Sequence, residues 1–130
     1  MQLKNNLYKI CNKEVAEPSC GKYELELIPS SVIYQAHFPG EPITPGVCIV
    51  QIGKELIEDF LQESLQVVLV KNVKFLSVIS PIQFTSVTYL LQKVVLSEDS
   101  NEVKTQIIVT SGDETKAKIS MVLRLMKETE

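Results

Sequence analysis

The sequence predicts an α+β protein in which an antiparallel sheet curls around one long helix. The first observation is a single helical segment, from Pro45 to about Gln62, that is apolar on nearly every side where it begins. The second is the series of β-type segments that follows it, separated by turn residues. The predicted element order is β-β-α-β-β-β-β, and a helix can fill one face of such a sheet.

Two strands are predicted before the helix. Residues 7–16 form the first. Residues 23–28, which read YELELI, form the second, because apolar and acidic side chains alternate along them. Such alternation is typical of a half-buried strand. Pro29 ends this strand.

The helix has a recognisable start. Thr44 can act as its N-cap, and Pro45 suits the first helical position. The apolar residues that follow are Val47, Cys48, Ile49, Val50 and Ile52. Because they point in nearly all directions, this end of the helix is expected to be buried. The helix should end near Gln62, after about 17 residues.

Four β-type segments follow the helix. They are residues 65–79, 84–96, 103–110 and 116–125. The first is too long for one straight strand, and the sequence SGDE before the last is a hairpin turn signal. The last strand is expected to place Ala117, Ile119, Met121, Leu123 and Leu125 on one face. Its other face then carries Lys116, Lys118, Ser120 and Arg124.

The bulk properties restrict the class of protein. The 130 residues fit a single domain spanning 1–130. A net charge of −3 argues against nucleic acid as a partner. The three cysteines follow no metal-ligand spacing, which favours reduced thiols in a cytoplasmic protein. No signal-type stretch begins the sequence, and no run reaches the ~18 apolar residues of a membrane span.

The loop before the helix holds the only histidine, His37. Pro39, Pro42 and Pro45 each fix one backbone angle, and Gly40 permits a turn conformation closed to other residues. Histidine has an unperturbed pKa of about 6.5, so it is the natural proton acceptor of this sequence. A stiff loop would hold such a base in one place.

Gly46 adds a second chemical group to this region. At a helix start its N–H is unpaired, and the missing side chain lets a ligand oxygen come close. A base beside such a donor suits proton abstraction next to a carbonyl. Other roles stay open at this point: His37 could cap a backbone carbonyl, Gly46 could serve packing, and Gln51 could be a buried amide paired to backbone.

The stretch HFPGEPITPGVCIVQ resembles the signature of the 3-hydroxyacyl-[acyl carrier protein] dehydratases. That signature reads H-F-P-G-x-P-x-x-P-G-V/C. The matching residues are His37, Phe38, Pro39, Gly40, Pro42, Pro45, Gly46 and Val47. A weaker match follows at Lys74, Phe75 and Pro81. The chain departs from the family at Ala36, where glycine is usual, and at SPIQF, where Pro-Gly-Asp is usual.

The resemblance implies a hotdog fold and an acyl-thioester substrate, carried on the phosphopantetheine of acyl carrier protein or on coenzyme A. His37 would remove the C2 proton, and the N–H of Gly46 would polarise the thioester carbonyl. The residues expected to contact substrate are Phe38, Pro39, Gly40, Pro45 and Val47. Neither a metal nor a redox cofactor is implied.

The resemblance also implies partners. The working unit would be a dimer, in which each subunit contributes to the other's site, and dimers of this family often assemble into hexamers. Acyl carrier protein is acidic, so its docking surface should be basic, and Lys71 and Lys74 are the candidates. No nucleic acid or membrane partner is expected.

Gln51 stands where the family carries its acid, and an amide cannot give up a proton near neutral pH. Three interpretations follow. The chain is still a dehydratase, with Gln51 orienting the C3 hydroxyl, with His37 acting as base and acid, or with Glu41 or Glu55 supplying a carboxylate. It is a partner subunit that pairs with a homologue holding the acid. Or it carries out another thioester reaction such as hydrolysis.

Overall fold

A computed structural model describes residues 2–16 and 19–126, within which six strands form one antiparallel sheet that packs on a long helix. In chain order the elements are β1 (Tyr8–Ala16), β2 (Cys20–Leu27), α1 (Val32–Ala36), α2 (Gly46–Leu61), β3 (Leu65–Phe75), β4 (Ser86–Ser97), β5 (Glu102–Ser111) and β6 (Glu114–Leu125). The strands lie in the order β1-β2-β4-β5-β6-β3. The predicted α+β layout is confirmed, and the short helix α1 is added to it.

Strand β2 alternates as predicted. Tyr23, Leu25 and Leu27 are buried, whereas Glu26 is exposed. The strand begins at Cys20 rather than Tyr23, because its first residues pair with the end of β1, where Cys20 faces Ala16. Its buried face therefore adds to the same core as the helix.

Helix α2 runs from Gly46 to Leu61. The prediction of Thr44 as N-cap is wrong, because Pro45 occupies that position and makes no side-chain cap. Thr44 is instead buried: its hydroxyl is 2.7 Å from the Tyr34 hydroxyl, and its N–H donates to the Ile79 carbonyl at 2.9 Å. These two bonds hold the loop before the helix against the core.

The expectation that α2 is buried on all sides at its start is also wrong. Val47 is 71 % exposed, whereas Cys48, Ile49 and Ile52 belong to the core. The buried positions recur every three or four residues, as in an amphipathic helix packed on one side. Val47 lies on the opposite side, where the sheet does not reach.

All four tyrosines of the chain are buried and form hydrogen bonds with α2 or with Thr44. The pairs, with their distances, are Tyr8–Glu55 (2.8 Å), Tyr23–Asp59 (2.6 Å), Tyr34–Thr44 (2.7 Å) and Tyr89 with the Ile49 carbonyl (2.8 Å). Burial raises the pKa of Tyr34 to about 12 and raises the pKa of the other three hydroxyls. They therefore stay protonated and tie the helix to the elements around it.

The hairpin between β5 and β6 matches its turn signal. Gly112 and Asp113 adopt φ angles of +58° and +64°, as a two-residue turn with the twist of a hairpin requires. The predicted face of Lys116 is wrong, because this lysine is only 4 % exposed. Its ammonium donates to Glu114 at 2.7 Å and to Ser77 at 3.4 Å, so local partners offset its burial.

Strand β3 ends the sheet, next to β6. It stops at Phe75, and two register shifts break its pairing, in agreement with the prediction that it is not one straight strand. No described strand pairs with its outer edge, and Val68, Leu69 and Val70 are exposed on it. None of the helices in residues 2–16 and 19–126 has the length and apolar character that a membrane span requires.

Candidate active site

The loop from His37 to Ile43 is closed by its own backbone. The His37 N–H donates to the Ile33 carbonyl at 3.0 Å, and its carbonyl accepts the Ile43 N–H at 2.7 Å. Phe38 and Glu41 exchange hydrogen bonds of 3.1 and 2.9 Å around a turn. The turn needs a positive φ at Gly40, which has +82°. These bonds hold His37 at a defined place after α1.

The imidazole of His37 is on the surface. It packs edge-on against the Phe38 ring, with ring centroids 5.5 Å apart and planes at 69°. Both side chains are exposed. The histidine is therefore not used to cap the loop from within, and a substrate can reach it.

The start of α2 provides an unpaired donor. Within residues 2–16 and 19–126, no acceptor bonds the Gly46 N–H, and Pro45 offers no side-chain cap. This N–H lies at the positive end of the helix macrodipole. The Phe75 ring covers Gly46 closely: a Cβ on Gly46 would lie 2.9 Å from Cζ of Phe75. Packing against Phe75 is thus one reason for glycine at this position.

An apolar cavity of about 370 Å³ opens at the same helix start. It is lined by Ile43, Thr44, Gly46, Ile49, Phe75, Leu76, Ser77, Val78 and Ile79. A largely apolar wall with a few polar groups is typical of sites for small organic ligands. The sequence pattern did not identify the segment after β3 as part of this wall, because only the sheet pairing brings it to the helix.

A second cavity, of about 290 Å³, lies beside the His37 loop. Phe38, Pro39 and Gly40, which were predicted to contact substrate, line it together with Pro42 and Tyr34 among others. Pro45 and Val47, predicted for the same role, lie at the start of α2, and Val47 faces outward. The predicted contact residues therefore fall into two groups, one in the loop and one on the helix.

Gln51 lies one turn into α2, with its amide nitrogen donating to Glu55 at 2.9 Å. Glu55 is only 8 % exposed, so it is a buried carboxylate. Its carboxylate also accepts the N–H groups of Leu3 and Lys4 and the Tyr8 hydroxyl, at 2.7–2.9 Å. Since all these partners are donors, Glu55 is poorly placed to act as a substitute acid. Glu41, the other candidate, is exposed in the loop.

The two central site residues have different surroundings within one chain. His37 is exposed beside Phe38, whereas the Gln51 amide is half-buried and turned to Glu55. Neither of the two cavities described above is lined by His37 or Gln51. The single chain therefore does not bring the base and the amide around one cavity.

Lys71 and Lys74 are exposed on β3, and neither forms an ion pair with a described residue. In the pairing with β6, Lys74 lies opposite Lys118, which is also exposed. Like charges side by side make a locally positive surface on a protein whose net charge is −3. Lys118 was not a predicted docking residue, because only the register of β3 and β6 reveals it.

Comparison with known proteins gives a family match over most of the chain. The model of the ApeI-like family, described as ApeI dehydratase, matches residues 13–112. No curated protein sequence matches the chain.

Three solved structures share the architecture. The dehydratase heterocomplex ApeI:P from Xenorhabdus doucetiae has a TM-score of 0.66 at 21 % identity, over 88 % of this chain and 96 % of that one. An uncharacterized protein from Erwinia carotovora subsp. atroseptica has a TM-score of 0.66 at 18 % identity, over 94 % and 99 % of the two chains. A candidate thioesterase from Lactococcus lactis has a TM-score of 0.62 at 14 % identity, over 95 % and 96 %. The predicted hotdog fold, a curved antiparallel sheet around one helix, is confirmed.

Proposed function

The chain belongs to the ApeI-like family of dehydratases, and on that premise we propose that it removes water from a 3-hydroxyacyl thioester to give the trans-2-enoyl thioester. The observation that carries the proposal is an exposed base, His37, on the loop that leads into the uncapped start of α2 at Gly46. One backbone loop connects and positions both groups. They are the two groups that proton removal next to a thioester carbonyl requires.

The reaction follows from these groups. The Gly46 N–H donates to the thioester oxygen, on which negative charge develops as the C2–H bond breaks. His37 takes the C2 proton, and the electron pair of that bond is held in an enolate whose oxygen accepts the Gly46 N–H. This electron pair then forms the C2=C3 double bond as the C3–O bond breaks, and the departing hydroxyl takes the proton back from His37 and leaves as water. Gln51 orients the C3 hydroxyl by a hydrogen bond and does not titrate.

The acyl chain lies in the apolar cavity at the start of α2. Ile43, Ile49 and Ile79 give this cavity its apolar wall, and Phe75 borders Gly46 at its edge. Burying each CH₂ group of the acyl chain contributes about 0.8 kcal/mol. The protein itself needs no cofactor, since the acyl group arrives on the phosphopantetheine of acyl carrier protein or on coenzyme A.

The working unit is a pair of chains joined at the outer edge of β3. That edge exposes Val68, Leu69 and Val70 beside backbone groups that no described strand pairs. An apolar open edge is a site for pairing with another strand. Within one chain, His37 and Gln51 do not line a common cavity. Pairing would allow His37 of one chain to lie near Gln51 of the other. Three such pairs can assemble further into a hexamer.

The carrier protein docks on the basic surface of Lys71, Lys74 and Lys118. These side chains are exposed and make no ion pair with a described residue that would compete. Complementary charge of this kind mainly speeds association and fixes orientation. A cytoplasmic location stays a prediction.

Turnover of a 3-hydroxyacyl thioester by purified protein tests the proposal. Wild type should form the enoyl product, and His37→Ala should slow it by about 10²–10⁴-fold. Because His37 is exposed, this variant should unfold at the wild-type temperature. Lys93→Ala, an exposed side chain on β4, is the control and should keep the full rate. A robust rate that survives in His37→Ala would reject the assignment.

A second candidate is a partner subunit that pairs with a homologue carrying an acid. The observation that favours it is the Gln51 amide, which donates a hydrogen bond to Glu55 but cannot release a proton near neutral pH. The similar structure from Xenorhabdus doucetiae is a heterocomplex, which supports pairing between different chains. This role predicts no turnover by the chain alone and turnover once an acid-bearing homologue is added.

A further inference from the structure

A hydrogen bond joins Gln51 to Glu55 one helical turn apart. The distance from Gln51 Nε2 to Glu55 Oε2 is 2.9 Å. An ionised carboxylate only accepts hydrogen bonds, so the amide must turn its NH₂ group toward Glu55. The amide oxygen, on the other branch of the same planar group, is then directed away from Glu55.

Glu55 is itself held from several sides. Its Oε2 accepts the Leu3 N–H at 2.7 Å, and its Oε1 accepts the Lys4 N–H at 2.9 Å and the Tyr8 hydroxyl at 2.8 Å. With the Gln51 bond, each carboxylate oxygen has two donors. A buried carboxylate with four bonds cannot rotate without losing some of them. Its orientation is therefore fixed by the N-terminal segment and β1.

Three titratable groups interact electrostatically with the Glu55 carboxylate, namely Tyr8, Tyr89 and Cys48. Burial raises the pKa of Tyr8, of Tyr89 and of Cys48, and the nearby Glu55 carboxylate raises each further. All three are neutral at pH 7. No lysine or arginine in residues 2–16 and 19–126 forms an ion pair with Glu55. Among the described residues, Glu55 is thus held by neutral donors and not by an ion pair.

We propose that Glu55 is the positioning residue for Gln51: it fixes the amide so that position 51 presents a hydrogen-bond acceptor to the substrate hydroxyl, and it excludes a second carboxylate there. The role of the amide toward the substrate hydroxyl rests on the proposed function, whereas the exclusion of a second carboxylate by Glu55 does not. Gln51 and Glu55 then act together as a hydrogen-bonded carboxylate–amide pair. The amide at position 51 has a role of its own and is more than the absence of the family's acid.

Charge repulsion determines how a carboxylate at position 51 changes the stability of the protein. Gln51→Glu would place two carboxylates within hydrogen-bonding distance in a half-buried setting. Ionising both groups would cost free energy because two negative charges would repel each other, so one of the two carboxyl groups would have its pKa raised. The exchange of both residues, Gln51→Glu with Glu55→Gln, keeps one carboxylate and one amide and avoids this repulsion.

A double-mutant cycle in the thermal midpoint tests the pair without reference to activity. Gln51→Glu should lower the Tm at pH 7 and recover most of that loss near pH 4, where carboxyl groups protonate. Glu55→Gln should also lower the Tm, because the donors of Leu3, Lys4 and Tyr8 lose an acceptor. The exchange variant should melt about 5 °C above the value that the two single losses predict by addition. Additive losses would overturn the proposal.

Steady-state kinetics test the positioning role. Glu55→Gln should lower kcat roughly tenfold or more with little change in KM, because the Gln51 amide is no longer held. Tyr8→Phe is the matched control: it removes one donor to Glu55 and leaves the bond to Gln51 in place, so it should lower the Tm and spare kcat. Equal losses of kcat in both variants would overturn the positioning role and leave Glu55 as an anchor of the N-terminal segment.

The two hypotheses fail in different ways. If wild type turns over no 3-hydroxyacyl thioester, alone or with a homologue, the proposed function is wrong, and the Tm cycle still decides on the pair. If wild type is active and the Tm losses are additive, the pair is wrong and the function stands.

Discussion

The ring of Phe75 lies directly against Gly46, so that a Cβ on this glycine would be 2.9 Å from Cζ of Phe75. The end of β3 and the start of α2 thus meet at the N–H that is proposed to bind the thioester oxygen. Phe75 is 52 % exposed, and it can move outward where a buried ring could not. The close contact controls how much room remains at the helix start.

Gly46→Ala should therefore weaken catalysis more than it weakens the fold. The new methyl group pushes the Phe75 ring aside, at a cost of about 1–3 kcal/mol for overpacking. We expect a small fall in Tm and a loss of kcat/KM of at least about tenfold. Adding Phe75→Leu should restore the Tm by making room. If Gly46→Ala keeps its full kcat/KM, the helix start does not bind the substrate carbonyl.

The open edge of β3 should mediate self-association or pairing with a homologue. Val70→Lys places a charge on that edge, which disfavours strand pairing. We expect sedimentation velocity to show a shift toward the monomer. Val95→Lys on β4 is the matched control, since Val70 and Val95 are 42 % and 43 % exposed. If both variants shift equally toward the monomer, or neither shifts, β3 is not the interface.

The basic surface should matter for carrier protein and not for small thioesters. Lys71→Glu with Lys74→Glu should raise KM for the acyl-carrier substrate severalfold, more at low salt, since salt screens exposed charges. The rate on a short free thioester should stay the same. Lys93→Glu with Lys104→Glu makes the same change of net charge at other exposed positions and should have little effect. A parallel loss on both substrates would argue against docking there.

Asp59 should make stability depend on acid pH. Burial alone would raise the pKa of its carboxyl, but hydrogen bonds from Tyr23 and Lys13 lower it below the usual 3.8. A lowered folded pKa stabilises the protein above the unfolded value, and this contribution is lost as pH falls through the folded pKa. Asp59→Asn should therefore lower the Tm at pH 7, with the difference from wild type shrinking below about pH 4.

Tyr23→Phe provides the control for this prediction. It keeps the charge of Asp59 and removes its shortest hydrogen bond, at 2.6 Å. The lowered pKa should move back toward the usual value, so the variant should lose stability over a narrower range of acid pH. A Tm difference between Asp59→Asn and wild type that is constant from pH 7 to pH 3 would contradict the assignment.

Much of the fold follows from local sequence. The alternation of Tyr23, Leu25 and Leu27 predicts a half-buried strand, because side chains of a strand point to opposite faces in turn. Gly112 and Asp113 predict the hairpin, since a two-residue hairpin turn requires a positive φ at both central residues, and glycine and aspartate adopt it readily. The loop with His37 and Gly46 is likewise contiguous, so its composition suffices to identify it.

Where the sequence-based predictions fail, distant partners decide. Thr44 is a good N-cap by type, but Tyr34 and Ile79 draw it into the core. Lys116 fits the polar face of its strand by alternation, yet it is buried, and its partners are the nearby Glu114 and Ser77, which is 39 positions away. The residues next to Thr44 and Lys116 in the chain do not indicate the contacts with Ile79 and Ser77.

Residues close together in the chain account for the six strands, helix α2, the loop that holds His37 and the amide at position 51. Contacts in the folded protein place β3 at the open edge, lay Phe75 against Gly46 and bury Glu55. Neighbouring residues do not reveal strand order or burial, because both arise from contacts between segments far apart in sequence. Leu3 and Glu55, which are 52 positions apart, are joined by one such contact.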